Sequence, residues 1–186
     1  DVGGSLILAR APGRLGEYLG TTGARMGPGD AIHAGFADYY IPEDRWPELI
    51  EKLETTGQWD LIDEAALPAP NGPIQPAQAE IDRLFGGQRL RDLLIDLRGA
   101  ETPVAADALK LLSRNAPLSV ACAIEMVHRL RGPSADIRRA LDLEYRFTFR
   151  AMEHGDFLEG IRAAIIDKDR TPKWRHSLDD LPQITV

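Results

Sequence analysis

Asp1 and the glycines that follow it are the residues of this chain whose types and spacing best suit chemistry. A carboxylate on a glycine-rich turn can exchange protons or bind a substrate hydroxyl, because glycine allows the backbone to turn tightly and to approach a ligand closely. The sequence Asp1-Val2-Gly3-Gly4 has this form. In a structural alternative, which stays open, the Asp1 side chain accepts hydrogen bonds from the amides that follow it.

The other side chains that could take part in catalysis are scattered along the chain. His33, His128, His154 and His176 do not have the spacing of metal ligands, and there is no CxxC or HExxH pair, so we expect no metal site. The chain also lacks the GxSxG, P-loop and GxGxxG motifs of common hydrolases and nucleotide sites. His154 precedes Gly155, where a histidine in the last turn of a helix is more simply a partner of the helix dipole than an acid or base.

Composition excludes several classes of function. The formal net charge is -7, from 22 basic and 29 acidic residues, and this balance does not suit binding to nucleic acid. No apolar run approaches the roughly 20 residues that cross a bilayer. The single cysteine, Cys122, lies in an apolar stretch, and we expect a buried thiol in a reducing compartment. The predominance of Arg over Lys hints at a GC-rich bacterial genome, so a cytoplasmic bacterial protein is expected.

The first third of the chain is predicted to contain short helices and one strand. Apolar residues within 6–8 and 15–19 are spaced as buried helices on either side of Pro12-Gly13. Residues 27–29 (GPG) are predicted as a loop, and residues 30–35 as a helix that Gly35 ends. The apolar run 36–41 reads as a strand, and Pro42 is expected to end it and to start the next helix.

Residues 67–78 contain four prolines and predict an irregular connection. We take this connection as the boundary between residues 1–66, the end of a folded core, and residues 79–186, a helical region. In the helical region Thr102 is a predicted N-cap ahead of Pro103, and Ser134 is a predicted cap of a later helix. Asp156 and Glu159 have the spacing of a capping box for the final helix.

Two apolar stripes in the helical region are predicted to be buried. Each recurs every three or four residues, the spacing of one face of a helix. Their members are Ile137, Leu141, Tyr145, Phe149 and Met152 in the longer helix, and Phe157, Ile161, Ala164 and Ile165 in the last one.

Motifs at both ends of the chain resemble the second half of the crotonase, or enoyl-CoA hydratase/isomerase, superfamily. At the start they are residues 1–4 (DVGG), 13–19 (GRLGEYL), 22–23 (TG) and 30–37 (DAIHAGFA). Toward the end, residues 143–146 (LEYR), 156–163 (DFLEGIRA), 166–169 (IDKD) and 172–174 (PKW) resemble the 3-hydroxyisobutyryl-CoA hydrolase branch in particular. The expected fold is therefore the α/β crotonase (ClpP/crotonase-like) fold, of which this chain is the mainly helical C-terminal part.

The resemblance implies an acyl-CoA thioester hydrolase that releases free CoA from a short 3-hydroxyacyl-CoA, such as 3-hydroxyisobutyryl-CoA in valine catabolism. It implies two backbone amides that hold the carbonyl oxygen, and a Glu that attacks the thioester or activates water, all in an N-terminal half that is not in this sequence. Asp1 matches the second acid of this branch, which binds the substrate by orienting its 3-hydroxyl or relays a proton. No cofactor is implied beyond the CoA of the substrate, and a homo-oligomer is expected.

Alternatives remain open at this point. A hydratase or isomerase of the same fold would add water to an enoyl-CoA or shift its double bond, and dienoyl-CoA isomerases also carry an acid at the position of Asp1. A chain without its N-terminal half would be a noncatalytic helical fragment. Lys168, Arg170 and Lys173 match the basic CoA end of the family, yet a solvated tail with offsetting Asp167 and Asp169 is an equal interpretation.

Overall fold

The chain is built from helices that form two compact units. In this computed structural model, which describes residues 2–182, one unit contains the residues up to Ala24 and those from Gln78 onward, and the other contains Arg25–Ala77. The helices are α1 (Gly4–Arg10), α2 (Leu15–Thr22), α3 (Pro28–His33), α4 (Trp46–Thr56), α5 (Asp60–Ala65), α6 (Ile74–Leu84), α7 (Leu90–Gly99), α8 (Pro103–Leu112), α9 (Pro117–Arg129), α10 (Ile137–His154) and α11 (Phe157–Ile161). A search of the described residues finds no helix with the length and hydropathy of a membrane span.

One buried apolar cluster of the first unit lies where α1 meets α9 and α10. Leu6 and Ala9 project from α1, and burying these apolar side chains is the main source of stability for such a helical layer. The buried cluster contains Leu6, Ala9, Val127, Leu130, Ala140 and Leu143. The first helix of the chain is thus packed against helices that follow it by more than a hundred residues.

Gly16 allows α2 to lie directly against the end of α1. A Cβ at this position would overlap the backbone oxygen of Leu8 and would come within 3.4 Å of Val127 Cγ1. Because a backbone oxygen cannot rotate aside as a side chain can, this close approach requires glycine.

The predicted caps of the later helices are confirmed in one case and wrong in another. Thr102 Oγ1 accepts a hydrogen bond from Ala105 N at 3.3 Å, with Pro103 in the first turn of α8. Ser134 does not cap α10, because Asp136 takes this role and its Oδ1 accepts from Arg139 N at 2.9 Å.

The longer predicted apolar stripe is exposed, so the prediction of its burial is wrong for the described chain. The five residues Ile137, Leu141, Tyr145, Phe149 and Met152, called here the α10 stripe, are between 43% and 70% exposed. The face of α10 that packs inward is instead narrow and carries Ala140, Leu143, Glu144 and Ala151. Two alanines, one leucine and one carboxylate therefore make the contacts that periodicity assigns to the five larger side chains.

The last helix also differs from its prediction. Asp156 and Glu159 do not form a capping box, because segments that follow the helix use both carboxylates: Asp156 Oδ1 accepts from Arg175 N at 3.0 Å, and Glu159 Oε1 accepts from Lys173 N at 2.7 Å. The α-helix ends at Ile161 and continues as a π-helical turn. In this turn Ala163 is buried. The predicted burial of the stripe is wrong, because Phe157, Ala164 and Ile165 are exposed and Ile161 is half-buried.

In the second unit, Asp30 of α3 holds the start of α6. Its fully buried carboxylate accepts from Ile74 N at 3.0 Å and from Gln75 N at 3.4 Å. These amides have no partner inside a helix, so a carboxylate favours helix formation there. Regular structure consequently begins at Ile74, inside the stretch 67–78 predicted to be irregular throughout. The assignment of that stretch as a boundary between residues 1–66 and 79–186 stays a prediction.

The strand predicted over residues 36–41 is wrong. The amides of Phe36 and Ala37 both donate to the backbone oxygen of Ala31, at 2.8 and 3.3 Å, and close the end of α3. Gly35 lies between them with a φ of +75°, as its predicted role in ending the helix requires. Among residues 2–182, no second extended segment forms a ladder of backbone hydrogen bonds with the apolar run 36–41. The prediction of a loop over residues 27–29 is also wrong, because Pro28 begins α3.

Substitution of Gly16 tests the close contact between α1 and α2. Gly16→Ala is expected to lower the free energy of unfolding by about 1–3 kcal/mol, because the new methyl group meets the Leu8 backbone. Gly99→Ala is the matched control, since Gly99 ends the exposed side of α7 with open space around it, and it should stabilise the protein by about 0.5–1 kcal/mol. Urea titration of both variants measures the difference; equal effects would contradict the packing described here.

The buried cysteine gives a second test of the same unit. Cys122 is buried as predicted, and burial, followed by the nearby Glu125 charge, raises the pKa of its thiol to about 11. We expect the folded protein to react with a maleimide at pH 8 far more slowly than the urea-unfolded chain, because thiolate is the reacting form. Cys122 is the single cysteine of the sequence, so the mass increase on labelling, followed by mass spectrometry, reports on this thiol alone. Equal rates would show that the thiol is accessible.

Candidate functional site

The glycine turn at the start of the chain has an unusual backbone. Val2 and Gly3 have φ values of +54° and +90°, both in the left-handed region, and Gly3 is the N-cap of α1. A positive φ is costly for a β-branched residue such as Val2. A Cβ at Gly3 would also lie 2.5 Å from Ile137 Cδ1. The candidate catalytic residue Asp1 lies outside the described residues, which begin with this turn.

A carboxylate from α10 binds the turn. Glu144 Oε2 accepts from Gly3 N at 2.8 Å, and its Oε1 accepts from Ser5 N at 2.9 Å and from Ser5 Oγ. The side chain of Glu144 is almost completely buried. The amides at a helix N-terminus lack hydrogen-bond acceptors within their own helix. Here Glu144, a residue far along the chain, supplies the acceptors.

Glu144 is expected to carry its charge at neutral pH. Burial alone would raise its pKa, but the hydrogen bonds from the Ser5 side chain and from the Gly3 and Ser5 amides outweigh burial and lower it. The positive end of the α1 dipole favours the same ionised form. The contact is therefore a charge-assisted one between a buried anion and the first turn of a helix.

A second buried carboxylate holds the loop between α1 and α2. Glu17 of α2 is fully buried, and it contacts His128 Nε2 at 3.1 Å, Arg14 Nη1 at 2.9 Å, and Arg131 through both Nε and Nη2. Burial would raise the pKa of Glu17, yet the hydrogen bonds from His128, Arg131 and Arg14 together lower it to about 2. Arg131 also donates to Gly13 O at 2.8 Å and so fixes the loop between α1 and α2.

An open apolar cavity lies between α10, α11 and the segment after them. It has a volume of about 320 Å³, and its lining includes Phe147, Phe157, Ile161 and Trp174. Asp156 also lines it; one of its oxygens binds Arg175 N, and the other, Oδ2, is buried without a hydrogen-bond partner. The cavity could accept an apolar group that carries a donor.

The basic residues near the C-terminal end are on the surface. Lys168, Arg170 and Lys173 are exposed, and their contact with CoA phosphates stays a prediction beside the solvated-tail alternative. Arg162 forms ion pairs with neighbouring residues: with Glu159 at 2.8 Å and with Asp167 and Asp169 at 2.6 and 2.7 Å, respectively. Within residues 2–182 there is no group of three or more His, Cys, Asp or Glu side chains that could hold a metal ion. His154 is the last residue of α10.

Comparison with known proteins identifies the family. A family model described as enoyl-CoA hydratase/isomerase matches residues 1–186. The chain belongs to the enoyl-CoA hydratase/isomerase family. It is 30% identical to the mitochondrial 3-hydroxyisobutyryl-CoA hydrolase of Rattus norvegicus and 31% identical to a probable 3-hydroxyisobutyryl-CoA hydrolase 3 of Arabidopsis thaliana, each over the whole chain. It spans 50% and 53% of those two proteins.

Solved structures confirm the crotonase fold that the sequence predicts. A crystal structure of an enoyl-CoA hydratase from Rhodobacter sphaeroides matches with a TM-score of 0.87 and 56% identity. A carnitinyl-CoA dehydratase from Mycobacterium thermoresistibile matches with a TM-score of 0.89 and 32% identity. Each match covers 98% of this chain and 53% of the solved one, so this chain corresponds to about half the length of each solved chain.

Sequence reasoning missed the buried carboxylates that hold the turn and the loop behind it. The motif 143–146 (LEYR) contains Glu144, which follows Leu143 and lies four residues after Ala140, in register with the buried face of α10. An acidic residue among buried positions of a helix could have been noticed. Its partners could not, because nothing in the spacing points to Gly3 and Ser5.

The Glu17 cluster predicts a pH-dependent contribution to stability. Since the pKa of Glu17 falls from 4.5 to about 2 on folding, the unfolded chain binds the proton more readily between these values. The contribution is therefore complete above about pH 4.5 and is lost as the pH falls toward 2, with a size on the order of 3 kcal/mol. Glu17→Gln should remove it, and it should further destabilise the protein by leaving the partly buried guanidinium groups of Arg14 and Arg131 without their carboxylate.

Urea unfolding at pH 7 and pH 3 measures this effect. The difference in free energy between wild type and Glu17→Gln is expected to be larger at pH 7. Glu48→Gln is the control, because Glu48 forms an exposed pair with Lys52 and should change stability little at either pH. An identical loss at both pH values for Glu17→Gln would contradict the ionised cluster.

Proposed function

We propose that the enzyme that contains this chain hydrolyses the thioester of a short 3-hydroxyacyl-CoA, with 3-hydroxyisobutyryl-CoA as the reference substrate. The observation that carries the proposal is similarity over the whole chain to 3-hydroxyisobutyryl-CoA hydrolases of an animal and a plant, joined to the acid at the glycine turn. The reaction forms a carbon–oxygen bond from water and breaks the carbon–sulfur bond, which gives a carboxylic acid and the free thiol of CoA.

Asp1 is proposed as the substrate-binding acid of this reaction. Its carboxylate would orient the 3-hydroxyl of the substrate or relay a proton during attack on the thioester. The chain spans about half the length of its relatives, so the oxyanion amides and the attacking or water-activating acid are proposed to come from the other half of such an enzyme. No cofactor is proposed beyond the CoA of the substrate, and a cytoplasmic location and a homo-oligomer stay predictions.

The α10 stripe is the surface that we propose this other half covers. Its five large side chains are exposed on one side of α10, while the opposite side packs into the core. Tyr145 and Phe149 stack with their ring centres 6.0 Å apart, which presents a flat aromatic surface. An exposed apolar surface of this kind is typical of an interface with another part of a protein.

Hydration of an enoyl-CoA is the second candidate. The structural relative with 56% identity is described as an enoyl-CoA hydratase, and this identity exceeds that to the curated hydrolases. In that reaction water adds across a carbon–carbon double bond and the thioester stays intact, so no thiol is released.

A thiol assay separates the two candidates. The complete enzyme, given 3-hydroxyisobutyryl-CoA and a thiol-reactive dye, is expected to release CoA, whereas loss of the enoyl absorbance with an enoyl-CoA and no release of thiol would favour the hydratase. Asp1→Asn should reduce the rate of CoA release by about 10²–10⁴-fold, the range of a proton-transfer contribution. Asp142→Asn on the exposed side of α10 is the control and should keep the wild-type rate. Full turnover in Asp1→Asn would refute the role of Asp1.

A further inference from the structure

We propose that Glu144 is a positioning residue for the active-site acid, which it orients through the glycine turn that follows Asp1. This inference rests on the proposed hydrolase function, and it assigns a role to a residue in the second half of the chain. Glu144 touches neither substrate nor reacting atoms in this proposal. It acts through the backbone of Gly3 and Ser5.

The two oxygens of Glu144 bind different points of the turn. Oε2 accepts from Gly3 N and Oε1 accepts from Ser5 N and Ser5 Oγ, so both the place and the direction of the turn are set. A single acceptor would fix a point and leave the turn able to rotate about it. Two acceptors on one planar carboxylate prevent this rotation.

The helix that carries Glu144 is itself firmly packed. The residue belongs to α10, where Ala140 and Leu143 are buried in the same cluster as Leu6 of α1. The carboxylate therefore extends from a packed helix to the start of a helix packed against it. Sites supported by packed helices hold their geometry more accurately than sites on free loops.

The covalent distance from the turn to Asp1 is short. Asp1 precedes Gly3 by two residues, and since consecutive Cα atoms are 3.8 Å apart, its Cα lies within about 8 Å of the Gly3 Cα. A shift of the Gly3 amide therefore has only two peptide units through which it can be absorbed before it reaches Asp1. Misplacement of a catalytic group by about 1 Å can reduce a rate by about 10²-fold.

The backbone of the turn needs an external partner to hold it. Val2 has a φ of +54°, which a β-branched residue seldom adopts. Such a conformation persists when the surroundings fix it, and it is often found at functional sites. The hydrogen bonds from Gly3 and Ser5 to Glu144 are the contacts that flank this residue on its C-terminal side.

Glu17 offers a matched control because it is the other buried carboxylate that binds near α1. Its partners are Arg14, His128 and Arg131, and none of these lies in the turn. Glu17→Gln should therefore destabilise the protein while the orientation of Asp1 is kept. Glu144→Gln should affect both stability and orientation, because an amide can offer only one acceptor oxygen to the two amides of the turn.

The experiment compares kcat, KM and the pH profile of CoA release from 3-hydroxyisobutyryl-CoA for the complete wild-type enzyme, Glu144→Gln, Glu17→Gln and Ser5→Ala. Assays run well below the melting temperature of each variant, with folding checked by circular dichroism. We expect Glu144→Gln to lower kcat by about 10–100-fold with KM changed less than threefold, and to shift the acidic limb of the profile. Ser5→Ala, which keeps both backbone donors, should give a smaller decrease of the same kind if Glu144→Gln does not fold.

Each result has a separate meaning. An active wild type with an unchanged kcat and pH profile in Glu144→Gln and Ser5→Ala would overturn the positioning role and leave the proposed function intact. An equal decrease in Glu17→Gln would also overturn it, because the effect would then follow stability alone. A wild type that releases no CoA from this substrate would overturn the proposed function, and with it the role of Glu144 as stated.

Discussion

The arrangement of this chain depends on hydrogen bonds from the first turn of α1 to the buried carboxylate of Glu144. A buried anion is costly unless donors surround it, and unpaired helix amides are costly unless an acceptor reaches them. The hydrogen bonds from Gly3 and Ser5 to Glu144 remove both costs, because they give the buried anion its donors and the helix amides their acceptor. The same contacts join residues separated by 139 positions or more, so the position of the glycine turn depends on the packing of α10.

Around this contact the other features of the first unit act together. The small side chains Ala9 and Ala140 allow α1 and α10 to come close, and Gly16 allows α2 to lie against α1. Glu17 with its three basic partners fixes the loop between α1 and α2. In the crotonase fold, to which the chain belongs, the result is a firmly held glycine turn directly behind Asp1.

Local signals allowed part of this structure to be predicted from the sequence. Caps and breakers gave the helix that starts at Pro103 and the one that Gly35 ends, because these effects act within one turn. The motifs gave the family and the fold. Periodicity failed for the α10 stripe, since a regular apolar spacing shows that a surface needs a partner but does not say where the partner lies. The buried carboxylates could not be predicted, because their donors are distant in sequence.

Hydrogen exchange at the amides of Gly3 and Ser5 tests the central claim most directly. In the folded protein, both amides are expected to exchange only through an opening that separates α1 from α10, and thus nearly as slowly as the buried amide of Ile124 in α9. In contrast, exchange at the rate of an exposed peptide would show that Glu144 does not hold the turn, and the account of the site would be wrong.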